Sequence, residues 1–293
     1  MSDSVVHRGI LVGVDGSRAA TAAVAWAARD AALRNTPLTL VHVITPLLAT
    51  GAVPDFPVDF FQWQNEEARR VLAAARETVA EICGVSAPAM LHSVVLHGGT
   101  VGNLVDLSKD ADMMVVGSSG KGAFSRALLG SVSTGLVHHA HCPVAVIHDD
   151  APELPEQAPV VVGIDGSPAS STATEIAFDE ASRRGVELVA VHAWQDGGAI
   201  ELPGLDFSTL EVQAQEALAE RLAGWQERYP DVRVRRVVVC DQPAKQLVEQ
   251  AKTAQLVVVG SHGRGGFAGM LLGSVSTAVV HTVKSATIVA RQG

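Results

Sequence analysis

The sequence is poor in the residues that staple, oxidise or stack. It has three cysteines, Cys83, Cys142 and Cys240, an odd number with no Cys-x-x-Cys pair. That excludes a disulfide framework and the common zinc spacings. One tyrosine and 4% aromatics leave the core to Val, Ala and Leu. Charged residues are 18% and the net charge is −9, which excludes a nonspecific nucleic-acid surface. The N-terminus lacks a signal-peptide pattern, and no run approaches the ~20 apolar residues of a membrane span. A soluble, cytoplasmic chain without membrane insertion is expected. Two phosphate motifs are missing as well. Gly117-Ser-Ser-Gly-Lys-Gly lacks the spacing of a P-loop, and VGVDGS stands where a dinucleotide fold would place Gly-x-Gly-x-x-Gly.

What the sequence does have, it has twice. Residues 113–134, MMVVGSSGKGAFSRALLGSVST, and 256–277, LVVVGSHGRGGFAGMLLGSVST, each run from an apolar stretch into Gly-x2-Gly-x9-Gly-Ser. ILVGVDGS at 10–17 returns as VVVGIDGS at 160–167, and TLVHVI at 39–44 as VAVHAW at 189–194. The offset is 150 at these anchors and 143 at the glycine loops, so seven residues are missing from the second copy, mostly in its loop and second helix. At 293 residues the chain holds two domains of ordinary size. The expected boundaries are 1–150 and 160–293, joined by the acidic, Pro-rich linker 151–159.

Within the first copy, GILVGVD (9–15) reads as a parallel strand buried on both faces, followed by an Ala-rich helix capped by Ser17 and ending near Arg34. Residues 37–44 are a second strand. Residues 45–60, with three prolines and an apolar content, read as a surface excursion covering a ligand or meeting a partner. A helix over 62–83, a strand over 90–96, a short helix over 100–109, a strand at 113–117, a helix over 131–141 and a strand over 143–148 complete the unit. The fold class is α/β, two tandem open parallel sheets with right-handed crossovers.

In such a sheet the ligand crevice lies beyond the carboxyl ends of the strands. Asp15 and Asp165 end the first strand of each copy; each reads either as a cap of the following turn or as an acceptor for a ligand. Gly117 and Gly120, with Gly260 and Gly263, follow a strand where backbone N–H groups can form an anion nest. Gly130-Ser131 and Gly273-Ser274 start the next helix, whose N-terminus adds N–H groups and a hydroxyl for phosphate. Lys121 and Arg264 meet phosphate or solvent. His42 and His192 read as structural. His138, His139 and His141 do not complete a metal set, Cys142 has no base, and no catalytic constellation stands out.

VGVDGS, VGIDGS and both Gly-x2-Gly-x9-Gly-Ser loops resemble the universal stress protein family, in its ATP-binding branch and in the tandem form of mycobacteria and related actinobacteria. The resemblance covers essentially the whole chain. It implies a strand order of 3-2-1-4-5 in each half and adenine held at Asp15 and Val41, or Asp165 and Val191. Ribose and phosphates would then meet Gly117, Gly120, Gly130, Ser131 and Val132, or Gly260, Gly263, Gly273, Ser274 and Val275. It implies ATP as ligand, with Mg2+ as a companion ion, a homodimer, and a nucleotide-dependent role in stress response and growth control. A weak Mg-dependent ATPase or phosphotransferase and a non-catalytic scaffold are the alternatives.

Overall fold

The computed structural model describes residues 9–45, 58–84, 90–120, 129–193, 207–264 and 271–291. The chain divides into two compact units, Met1–Asp149 and Asp150–Gln292. In unit 1 the strands are β1 (Ile10–Gly13), β2 (Leu38–Ile44), β3 (Leu91–His97), β4 (Met113–Gly117) and β5 (Val144–Ile147). The helices are α1 (Arg18–Arg34), α2 (Val58–Cys83), α3 (Thr100–Leu107) and α4 (Ser131–His139). A short 3-10 turn, Ser108–Asp110, takes up the end of the helix expected to reach residue 109. Helix α2 starts at Val58, so three residues assigned to the apolar excursion are helical. The rest of that excursion, 46–57, lies outside the described residues.

The sheet is parallel throughout, in the order β3-β2-β1-β4-β5, through registers such as Gly13↔Val41 and Val12↔Val115. The reversal of order between β1 and β4 opens a crevice beyond their carboxyl ends. Burial explains the strands: Ile10, Leu11, Val12, Met114, Val115, Val144 and Val146 are fully inaccessible, as central parallel strands covered on both faces must be. Helices α1 and α2 pack against each other on one face, α3 and α4 on the other. Ala19, Ala23, Ala27 and Ala31 face the sheet from α1, and their small side chains let the helix lie close to it. Ser17 caps α1 by accepting the Ala20 N–H at 3.1 Å, and Asn35 closes its other end in the left-handed region, φ 50°.

Unit 2 repeats the plan. Its strands are β6 (Val160–Gly163), β7 (Leu188–Ala193), β8 (Val234–Val239), β9 (Leu256–Gly260) and β10 (Ala286–Ala290). Its helices are α5 (Pro168–Arg184), α6 (Phe207–Arg228), α7 (Pro243–Ala251) and α8 (Ser274–Thr282). All pairs are parallel, in the order β8-β7-β6-β9-β10. The few aromatics are concentrated here: Phe178 of α5, fully buried, stacks on Trp225 and Tyr229, with centroids 6.1 and 5.6 Å away. Ahead of β6, Gln255 Nε2 donates to Ala158 O (2.6 Å) and Glu156 O (3.0 Å), tying that segment to unit 2. Among the described residues no helix is long and apolar enough to cross a membrane.

Candidate functional site

Each unit builds its crevice from two turns that lock onto each other. At the end of β1 the Val14 N–H bonds Val41 O (2.8 Å) and His42 Nδ1 bonds Val14 O (2.7 Å). A carbonyl only accepts, so the ring carries its proton on Nδ1. Asp15 Oδ1 then accepts the Ser17 N–H at 2.9 Å, closing an Asx turn around Gly16, whose φ is 78°. Unit 2 matches bond for bond. Ile164 N–H donates to Val191 O (2.9 Å), His192 Nδ1 to Ile164 O (2.6 Å) and Ser167 N–H to Asp165 Oδ1 (2.8 Å). The histidines are structural ties between strand two and strand one, as expected.

The glycine loops owe their glycines to crowding. Neither Gly117 nor Gly260 has a positive φ. A Cβ on Gly117 would lie 2.6 Å from the Ala19 carbonyl carbon, and one on Gly260 2.8 Å from that of Ala169. These two admit the first turn of α1 or α5 against the strand. Gly120 and Gly263 admit a carboxylate: a Cβ there would stand 2.7 Å from Asp15 Oδ2 and 2.6 Å from Asp165 Oδ2. The strand-one aspartate and the second loop glycine are therefore face to face in both copies. In unit 2 Asp165 Oδ2 also accepts the Arg264 N–H at 3.1 Å. The Ser17 hydroxyl reaches Ser119 O at 3.4 Å, and that of Ser167 reaches His262 O at 3.2 Å, so the helix-capping serines also hold the two turns together.

Beyond the loop, Gly130 N–H donates to Ser118 O (2.7 Å) and Gly273 N–H to Ser261 O (2.8 Å). Each glycine is the N-cap of its helix and supplies no side-chain cap, so the first turns of α4 and α8 begin uncapped at the crevice mouth. Ser131 and Ser274 are exposed there, with Val132 and Val275 half-buried behind them. The structure thus brings together Asp15, Gly120, Gly130, Ser131 and Val132, with Val41 at the strand end. Gly117 faces α1 instead of the mouth. The second unit places Asp165, Val191, Gly260, Gly263, Gly273, Ser274 and Val275 alike.

Sequence reasoning passed over Ser133, whose hydroxyl donates to Gly117 O at 2.6 Å, and Ser276, which bonds Gly260 O; both fix the helix start to the strand end. Both sit in the LLGSVST repeat, which could have drawn attention to them. It also missed the edge of strand two. β2 runs past its last β1 partner, Gly13↔Val41, to Ile44. Alternation gives Val43 the same edge as Val41, with no strand alongside among the described residues; Ala193 is its equivalent on β7. Backbone donors and acceptors at those positions suit the edge of a heterocyclic base.

Elsewhere the chemistry is quiet. The His138 and His139 ring centroids lie 6.2 Å apart, in the last turn of α4 and away from the crevice. No group of three His, Cys, Asp or Glu among the described residues could hold a metal ion. Burial raises the Cys83 thiol above its ordinary pKa, the opposite of an activated nucleophile.

Burial also pushes the His192 pKa below its usual value, against the opposing pull of its bond to Ile164 O, with Arg221 and Arg264 lowering it further. The unfolded chain therefore binds the proton more readily, so the stability held above the unfolded pKa of about 6.5 falls as pH drops through and below it. Unit 2 is expected to unfold at lower urea at pH 5.5 than at pH 7.5. His192→Asn keeps a donor for Ile164 O and should flatten that dependence in urea melts.

A sequence profile described as "Universal stress protein family" matches residues 7–148 and again 158–291. Over its full length the chain is 55% identical to one Mycobacterium tuberculosis universal stress protein, covering 100% of both chains. It is 52% identical to a second from that organism, covering 100% of this chain and 99% of the other. The crystal structure of a universal stress protein from Archaeoglobus fulgidus superposes with a TM-score of 0.73 at 21% identity, over 98% of this chain and 100% of that one, which speaks to fold. With the family pattern met twice, relatives matched end to end and the 3-2-1-4-5 sheet present in each unit, the chain belongs to the universal stress protein family as a tandem member.

Proposed function

We propose that each unit binds one adenine nucleotide, ATP foremost, and that the chain acts as a nucleotide-dependent regulator or sensor in stress response and growth control. The observation that carries this is the repeated facing of Asp15 with Gly120, and of Asp165 with Gly263, beside an uncapped helix start. A carboxylate and a bare backbone edge at Val43 or Ala193 offer acceptors and donors to adenine and ribose. The N–H groups at Ser131 and Val132, or Ser274 and Val275, offer an anion site to phosphate. Gly117 and Gly260 serve indirectly, by letting the first helix close on the strand. Mg2+ would arrive with the nucleotide, held by its phosphates.

A regulator fits this arrangement better than a catalyst. Asp15 and Asp165 each already accept a backbone N–H, and the histidine proton is committed to a carbonyl, so neither is poised as a general base. A ligand bridging the two turns would shift the population of closed loops, a readable state. We place a second copy of the chain as the first partner. Native mass spectrometry of the purified chain tests the ligand, its occupancy and the dimer together. The expected result is a dimer carrying adenine nucleotide, up to two per chain. A chain that carries none, and binds none in titration after refolding, would defeat the reading.

A further inference from the structure

The two units differ where the second helix of each meets the strand-one turn. In unit 1 a cleft of ≈ 450 Å³ begins at Val14 and Gly16 and runs between α1 and α2. Small side chains floor it at Ala74 and Ala75, and Glu77 and Glu81 line it, together with Glu67, 3.7 Å from Arg70. Its ionisable lining is mainly acidic. In unit 2 the same approach is taken by an arginine. A Cβ on Gly166, whose φ is +81°, would fall 2.6 Å from Arg221 Cζ and 2.6 Å from Arg264 Nη2. Both guanidinium groups border the space where that Cβ would stand, so Arg221 Cζ and Arg264 Nη2 can be no further apart than twice that distance.

The carboxylates of Asp165 and Glu220 favour the Arg221 charge from a distance, and among the described residues neither forms an ion pair with it. The neighbouring carboxylate, Asp165, accepts the backbone N–H groups of Ser167 and Arg264 and forms no ion pair with either guanidinium. Arg221 Nη1 is buried without a hydrogen-bond partner. His192, whose Nδ1–H donates to Ile164 O, has its pKa lowered by burial and then by the same two guanidinium groups. Burial, and then the charge of Arg264, push the Arg221 pKa below its ordinary value, yet an arginine stays charged at any physiological pH. A buried donor without an acceptor, beside a like charge, is a costly arrangement that an anion would relieve. Two guanidinium forks converging on one point match an oxyanion with several oxygens.

We propose that Arg221 and Arg264 form a phosphoryl-binding pair that makes unit 2 the tighter and more charge-selective of the two sites. The phosphoryl group is that of the nucleotide or a free phosphate. The inference rests on the nucleotide reading for the source of that group, while the pair itself requires only the anion.

The test is calorimetric titration of the full-length, nucleotide-stripped chain with inorganic pyrophosphate, adenosine and ATP. Wild type is compared with Arg221→Gln, Arg221→Lys and, as a unit 1 control, Arg70→Gln. Arg221→Gln is expected to weaken pyrophosphate and the tighter ATP site by about tenfold or more. Adenosine and the Arg70→Gln control should be unchanged, and Arg221→Lys should recover part of the loss. Without ligand, Arg221→Gln should melt at the wild-type temperature or above it, because it relieves repulsion; an arginine kept for packing would melt lower. Pyrophosphate binding that is absent, or unaltered by Arg221→Gln, overturns the proposal. If ATP fails to bind the wild type while pyrophosphate binds through Arg221, the nucleotide reading falls and the pair stands. If ATP binds wild type and variant alike, the reverse holds.

Discussion

Arg34→Leu and Arg184→Leu are each expected to destabilise their own unit by about 3–5 kcal/mol. Asp30 on α1 and Glu180 on α5 are fully inaccessible to solvent. Each pairs with the arginine one turn on, Asp30 Oδ2 with Arg34 Nε at 2.7 Å and Glu180 Oε2 with Arg184 Nε at 2.9 Å. The order, acid before base at i,i+4 with the cation in the last turn, is the favourable one for a helix. Removing the arginine takes a charge partner from a buried carboxylate, which must then stay charged with less support or take up a proton, and either is costly. Removing both members, as Asp30→Leu with Arg34→Leu, is expected to be close to neutral, because the desolvation cost leaves with the charge. Domain stabilities are about 5–15 kcal/mol, so the single substitution should shift the urea midpoint plainly. An unchanged midpoint would mean that the ion pair carries none of the unit's stability.

This pair was visible in the sequence as a repeat, residue 30 with 180 and 34 with 184 at the common offset of 150, but its burial was not. The distinction runs through the whole molecule. Strand identity was legible because burial on both faces leaves a mark in one dimension: ILVG, VVVG and LVVVG have no polar face to alternate. Their order leaves no such mark and came from the family resemblance alone. Helix ends were legible where a capping residue marks them, as Ser17 and Ser167 do. The start of α2 was read four residues late, because Pro54 and Pro57 suggested loop, whereas proline is compatible with the residues leading into a first helical turn.

The sequence marked which glycines recur, and not what each of them meets. Glycine spacing says that backbones come close, and only coordinates say to what. Gly117 meets Ala19 and Gly120 meets Asp15, three residues apart in sequence and serving opposite ends of the problem. Arg221 was the least legible residue. It lies beside Leu218 and Leu222 on an amphipathic helix, where an arginine reads as the solvent edge of the stripe.

That division of labour yields the sharpest functional prediction. Gly120→Ala and Gly263→Ala are expected to weaken nucleotide binding at their own unit by about 10–100-fold, the worth of a hydrogen bond to a charged group. Stability should stay within about 0.5 kcal/mol of wild type, as for surface substitutions. At Gly120 the atoms a Cβ would meet within 4 Å belong to the Asp15 carboxylate, Oδ2 at 2.7 Å and Cγ at 3.9 Å. The new methyl group therefore presses on a side-chain end and takes the place at Oδ2 that a ligand donor would use. Oδ1 keeps its bond to Ser17 N–H, so the turn itself survives. At Gly117 the same methyl would meet the Ala19 backbone, carbon at 2.6 Å and oxygen at 2.8 Å, which cannot yield without moving α1. Gly117→Ala and Gly260→Ala should accordingly cost about 1–3 kcal/mol of stability through overpacking, with affinity falling as a consequence. Titration with ATP and urea unfolding on the same four proteins separate the two behaviours. If Gly120→Ala binds ATP as wild type does, Asp15 Oδ2 is not a ligand contact. The aspartate would then be what its Ser17 bond already makes it, the cap of a turn.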